Sequence, residues 1–197
     1  MTGGTSMKCS DAISDQRAVV ARKALAVVAL AGLTTLSAKI AIPLPYTPVP
    51  ATLQVAAVGF VGSIAGRTWL GAVSMLLYLL LGLAGVPVFA SWHTAGTKII
   101  GVPTFGYLLG FPIAAWLSGR YSDKSLALAT TLSLLAIYLP GLAWLGFWKA
   151  VNGGTDIYWL IAAGLGPFVV FDVLKLALAT WTGRKLSGSF AGWIGRT

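Results

Sequence analysis

Apolar positions fill this chain in a few long runs, each broken by a short polar stretch or by glycine and proline. A helix rises about 1.5 Å per residue, so about 20 apolar residues cross the roughly 30 Å core of a bilayer. The first such run extends from Arg22 to Ile40, the second from Ala51 to Gly66 and the third from Trp69 to Leu83. The fourth covers Val102 to Ser118, with a kink expected at Pro112, and the fifth covers Ser125 to Trp148, interrupted at Pro140-Gly141. Thr155 to Leu165 is too short to span and predicts a short interfacial helix. Pro167 then suits the first turn of a last span that ends near Gly183. The pattern predicts an all-α membrane protein with six transmembrane helices in one compact bundle.

The connectors carry information of their own. Ile42-Pro-Leu-Pro-Tyr-Thr-Pro-Val-Pro50 cannot be helical, because each proline lacks an N–H and restricts the residue before it. A plain linker has little reason to carry Leu44, Tyr46 and Val49, so this stiff segment is expected to fold back over something apolar. Gly59, Gly62 and Gly66 mark a helix face that allows close approach. Residues 85–101 form a polar loop with Trp92, His93 and Lys98. Residues 1–21 are expected to be a disordered cytoplasmic tail, 22–185 the membrane domain and 186–197 a cytoplasmic C-terminal tail.

Composition agrees with the membrane assignment. The 197 residues are 57% hydrophobic and 10% charged, and the mean hydropathy is +0.83, far above that of a soluble domain. The net charge of +9 raises the question of nucleic acid, but Lys and Arg lie in short loops and not in a patch. With six spans, one side holds Lys8, Arg17, Arg22, Lys23, Arg67, Arg120, Lys124, Arg184, Lys185 and Arg196. The other holds only Lys39, Lys98 and Lys149. By the positive-inside rule both termini are then cytoplasmic, and the proline-rich loop and the Trp92/His93 loop lie outside.

Two charges remain inside the last span. Asp172 and Lys175 sit in Phe168-Val-Val-Phe-Asp-Val-Leu-Lys-Leu-Ala-Leu-Ala179, three residues apart, so they point to nearly the same side of a helix. Each costs roughly 2.5–3.5 kcal/mol at bilayer depth on insertion scales. They either pair with each other, with Lys175 reaching for the interface, or face a polar ligand. Catalysis finds no support: His93 is the only histidine, Cys9 the only cysteine, no second acid lies near Asp172 and no phosphate-binding glycine loop is present. Neither a metal site nor a cofactor is expected. Recognition fits better. A lysine meets a carboxylate as a point charge, and an ionised Asp accepts from two N–H donors. Phe168, Phe171, Tyr78, Trp92 and Phe89 are expected to hold an apolar middle.

The chain resembles the biotin-specific S component (BioY family) of energy-coupling-factor transporters over residues 22–185. The resemblance is carried by the proline-rich segment through Gln54, by Tyr78-Leu-Leu-Leu-Gly-Leu-Ala-Gly-Val-Pro-Val-Phe-Ala90, by Pro103-Thr-Phe-Gly-Tyr-Leu-Leu-Gly-Phe111 and by Gly166-Pro-Phe-Val-Val-Phe-Asp-Val-Leu-Lys175. It implies six helices, an outward-opening site closed by the first loop, and Asp172 and Lys175 in contact with biotin. It also implies energy from a transmembrane coupling subunit and two ABC-type ATPases, in a bacterial-type plasma membrane. On this basis Asp172 accepts from the ureido N–H groups and Lys175 pairs with the carboxylate, or the reverse. Tyr46 caps the pocket, and Gln54, His93 and Tyr107 are further candidates. Biotin and membrane lipid are the expected small partners; nucleic acid is not one. Three bulky departures from the family pattern, Trp92, Phe105 and Phe171, predict a narrower pocket or a repacked rim. Another small vitamin or heterocyclic acid as ligand, or a scaffold or enzyme with a purely structural Asp172–Lys175 pair, are the competing assignments.

Overall fold

In a computed structural model of the chain, residues 3–91, 95–154, 156–166 and 168–195 are described, with side chains from residue 14 onward. Trp92, His93, Thr155 and Pro167 therefore lie outside the described residues. The elements are α1 (Gly3–Lys39), β1 (Ala41–Ile42), β2 (Ala51–Thr52), α2 (Gln54–Ala65), α3 (Leu70–Leu83), α4 (Phe105–Leu109), α5 (Phe111–Tyr121), α6 (Leu126–Gly153), α7 (Ile157–Gly164) and α8 (Val169–Trp193). A 3-10 turn at Gly96–Gly101 precedes α4. Among the described residues the regular structure is helical apart from one antiparallel two-residue pair, Ala41 opposite Thr52 and Ile42 opposite Ala51. That pair closes the proline-rich segment into a loop.

Among the described residues three stretches are long and apolar enough to cross a membrane: Ser14–Lys39, Leu126–Gly153 and Ile157–Trp193. Leu25, Leu36, Leu139, Phe171 and Leu178 stand exposed on their outer faces, as expected of side chains that meet lipid. The helices α2 and α3 are shorter, 12 and 14 residues. In the interior α2 packs between α5 and α8. The glycine face anticipated on α2 makes this possible. A Cβ on Gly62 would run into the Ala115 backbone of α5, and one on Gly59 into Leu176 and Thr180 of α8.

Several boundaries differ from the expected ones. Residues 3–21, expected to be disordered, continue α1, and residues 186–193, expected to be tail, continue α8. Beside these extensions Arg22 Nη1 donates to the Trp193 carbonyl at 3.3 Å, and Ile194 is fully buried. The fourth span is broken at Gly110, not kinked at Pro112, because Pro112 sits in the first turn of α5, where its missing N–H costs nothing. Conversely, α6 runs unbroken through Pro140. The proline and its neighbours form a notch for α4 instead: Gly106 lies on the Pro140 carbonyl, Gly110 on Ala136 and Ile137, and the Tyr107 ring on Gly141.

Candidate functional site

A cavity of about 390 Å³ opens at one end of the bundle. That is within the range of small-ligand sites, roughly 300–1,000 Å³. The proline-rich loop forms one wall with Leu44, Thr47, Val49 and Pro50, and the chain after α3 forms another with Phe89, Ala90 and Ser91. Tyr107, Leu108 and Phe111 come from α4 and α5, and Ile137 and Tyr138 from α6. Gln54, Phe168 and Asp172 also line it.

The acid is in the first turn of α8, where the helix dipole favours a negative charge. Asp172 is only 6% exposed. Its Oδ1 accepts from Lys175 Nζ at 2.6 Å, and its Oδ2 accepts from the Tyr138 hydroxyl at 2.8 Å. An ionised carboxylate offers about four acceptor positions, so about two are left on a side chain that lines the cavity. Lys175 Nζ also donates to the Thr52 carbonyl at 3.0 Å, which ties the acid to the base of the proline-rich loop. Lys175 is not itself in the cavity lining. Groups 2.6 Å apart cannot meet opposite ends of an extended ligand. The pair can serve only one end between them, as acceptor and donor side by side.

The remaining candidates separate clearly. Gln54 is buried at the cavity; its Nε2 donates to the Tyr78 hydroxyl at 2.6 Å and its Oε1 accepts from Thr52 Oγ1 at 3.1 Å. Tyr107 lines the cavity and donates its hydroxyl to the Gly164 carbonyl at 2.9 Å. Tyr46 is 60% exposed and outside the lining, so the expected cap does not form. Pro45 and Tyr46 form a turn, and Leu44, Thr47 and Val49 around it line the cavity while Tyr46 does not. His93 lies outside the described residues. Tyr78 is fully buried beneath Gln54 and Phe89 and is not a wall residue, while Phe171 points out of the bundle. Phe105 packs edge-on against Trp144, with centroids 5.2 Å apart. Neither Phe105 nor Phe171 narrows the cavity.

Two site residues escaped the sequence. Tyr138 was hidden in a long apolar run, although a membrane tyrosine needs a partner for its hydroxyl and was to that extent a signal. Thr47 was read only as part of a stiff loop. Its hydroxyl donates to the Ala163 carbonyl at 2.7 Å, which seats the loop on the end of α7. Among the described residues no cluster of three His, Cys, Asp or Glu side chains exists to hold a metal.

Known proteins share this architecture. The model of the BioY family matches residues 8–192. A probable biotin transporter BioY from Pyrococcus horikoshii is 37% identical over 168 residues, covering 85% of this chain and 98% of that protein. The biotin transporter BioY of Thermotoga maritima is 35% identical over 150 residues, covering 74% of this chain and 85% of that one. In fold the chain is similar to the crystal structure of the S-component for biotin from an ECF-type ABC transporter, with a TM-score of 0.72 and 19% identity over 95% of each chain. With a family match over nearly its full length and relatives at this identity, the chain belongs to the BioY family.

Proposed function

We propose that this protein captures biotin for uptake across the inner membrane, as the substrate-binding subunit of an energy-coupling-factor transporter. Its partners are a transmembrane coupling subunit and two ABC-type ATPases. The observation that carries this function is the buried Asp172 carboxylate at the cavity, held by Lys175 and Tyr138 with acceptor positions to spare. The ureido ring of biotin presents two N–H donors beside one carbonyl oxygen. Asp172 takes one of these N–H groups, and Lys175, behind it, holds the carboxylate in place. Phe89, Phe168 and Ile137 enclose the apolar bicycle. The carboxylate end then lies away from Asp172, which removes like-charge repulsion.

The chain crosses six times, with both termini in the cytoplasm and α7 at the outer interface. A 12-residue α2 covers only about 18 Å, so the crossings through α2, α3 and the α4–α5 pair are completed by irregular chain. Non-helical backbone is tolerated at membrane depth where it lines a cavity, and the proline-rich loop and residues 89–91 and 102–104 do so. Biotin titrated into the purified chain tests the proposal, with desthiobiotin and unrelated vitamins as competitors. Saturable binding displaced by desthiobiotin is the expected result; binding of another vitamin in preference would reject it.

A further inference from the structure

We infer that Lys39, at the end of α1, is a positioning residue for the cavity: it holds the Phe89 wall by the main chain and through that wall sets the affinity for ligand. The inference rests on the biotin assignment above for its ligand. By sequence Lys39 is a loop charge that contributes to topology. In the structure its Nζ donates to the Pro87 carbonyl at 2.7 Å and the Phe89 carbonyl at 2.6 Å, partners 48 and 50 residues away. Charge-assisted bonds of this length are the stronger kind.

The segment it grips lies outside the helices. Just after α3 the backbone makes short turn bonds, Gly85 N–H to Gly82, Val86 N–H to Leu81 and Val88 N–H to Val86. Gly85 adopts a φ of 100°, which a side chain would resist. Yet Val88 and Phe89 are buried, at 4% and 3% exposure. The Phe89 ring fills the notch over Gly82, where a Cβ would collide with it, and meets Tyr78 edge-on at 5.4 Å. Tyr78 in turn receives the Gln54 amide. Phe89 and Gln54 both face the cavity. A shift of the chain at 87–89 therefore moves one wall and loosens the support of a second. Lys39 itself is not in the lining, so it acts through Phe89 and not on the ligand.

Biotin affinity of the full purified chain, measured by calorimetry across Lys39→Met, Lys39→Arg, Phe89→Ala and the Lys39→Met/Phe89→Ala double variant, tests this. Lys39→Met is expected to weaken binding about tenfold and Lys39→Arg, which can still donate twice, less than about threefold. In the Phe89→Ala background Lys39→Met should cost less than about twofold, because the two act as one unit. Amide exchange of residues 86–91, measured without biotin, should accelerate in Lys39→Met while that of α2 and α8 stays as in the parent. Parent-like binding in Lys39→Met, full additivity with Phe89→Ala, or faster exchange throughout the bundle would each overturn the inference. Should the parent fail to bind biotin, the ligand assignment falls instead, and the exchange comparison still decides whether Lys39 holds the wall.

Discussion

Where α2, α5 and α8 cross, backbones touch through glycines; around the cavity, side chains reach across the fold to bond backbone carbonyls. Both regions answer the same requirement, that no polar backbone group be left bare in lipid. In the first, helices satisfy their own N–H and C=O groups, and Gly59, Gly62 and Gly119 only let them approach. In the second, the chain is irregular, and donors are supplied from elsewhere. Lys39 serves Pro87 and Phe89, Lys175 serves Thr52, Thr47 serves Ala163 and Tyr107 serves Gly164. Trp144 and Trp148 serve Val102 and Gly101. The first arrangement gives a rigid support. The second frees main chain to shape a pocket, at the cost of depending on single side chains.

This contrast can be broken from the rigid side first. Gly62→Val places side-chain atoms on the Ala115 backbone, which cannot retreat without separating α2 from α5. A loss of at least about 3 kcal/mol is expected, seen as a collapse of the thermal midpoint in detergent together with ligand binding. An unchanged midpoint would mean that the two helices do not depend on the glycine. On the cavity side the effect should be on binding and not on folding. Tyr138→Phe keeps the ring against Tyr107 and removes only the hydroxyl on Asp172, so biotin affinity should fall about tenfold by calorimetry with a midpoint shift of only a few degrees. The smallest effect is expected at Tyr46. Tyr46→Ala should change affinity less than about twofold, since the ring is exposed and away from the cavity.

The rigid region was the more legible in sequence, and the contrast explains why. Glycines at 59 and 62 on an apolar helix carry a local meaning, and the structure uses it, whereas Gly66 ends the helix at a φ of 61°. The proline-rich loop was readable for the same reason: prolines forbid helix, and Leu44 and Val49 needed an apolar surface, which they find. Asp172 was marked by its charge within an apolar run, Gln54 and Tyr107 came with the family resemblance, and all three line the cavity. What failed was direction and pairing. Tyr46 and Phe171 were placed inward by neighbourhood, but a turn in the loop exposes the first and the helix turns the second out. Pro140 was taken for a helix break, because nothing local announces that α4 will dock in the notch it makes. Lys39, Thr47 and Tyr138 meet partners 50, 116 and 34 residues away, distances at which no periodicity helps.

The central claim is that the Asp172 carboxylate is the recognition point of this pocket. Calorimetric titration of biotin into the parent and Asp172→Asn tests it most directly. Asparagine keeps the size of the side chain but turns one oxygen into a donor and leaves Lys175 without its counter-ion. The parent should bind saturably, and the variant at least about a hundredfold more weakly while retaining its fold. A folded Asp172→Asn protein that binds biotin within about threefold of the parent would contradict the account.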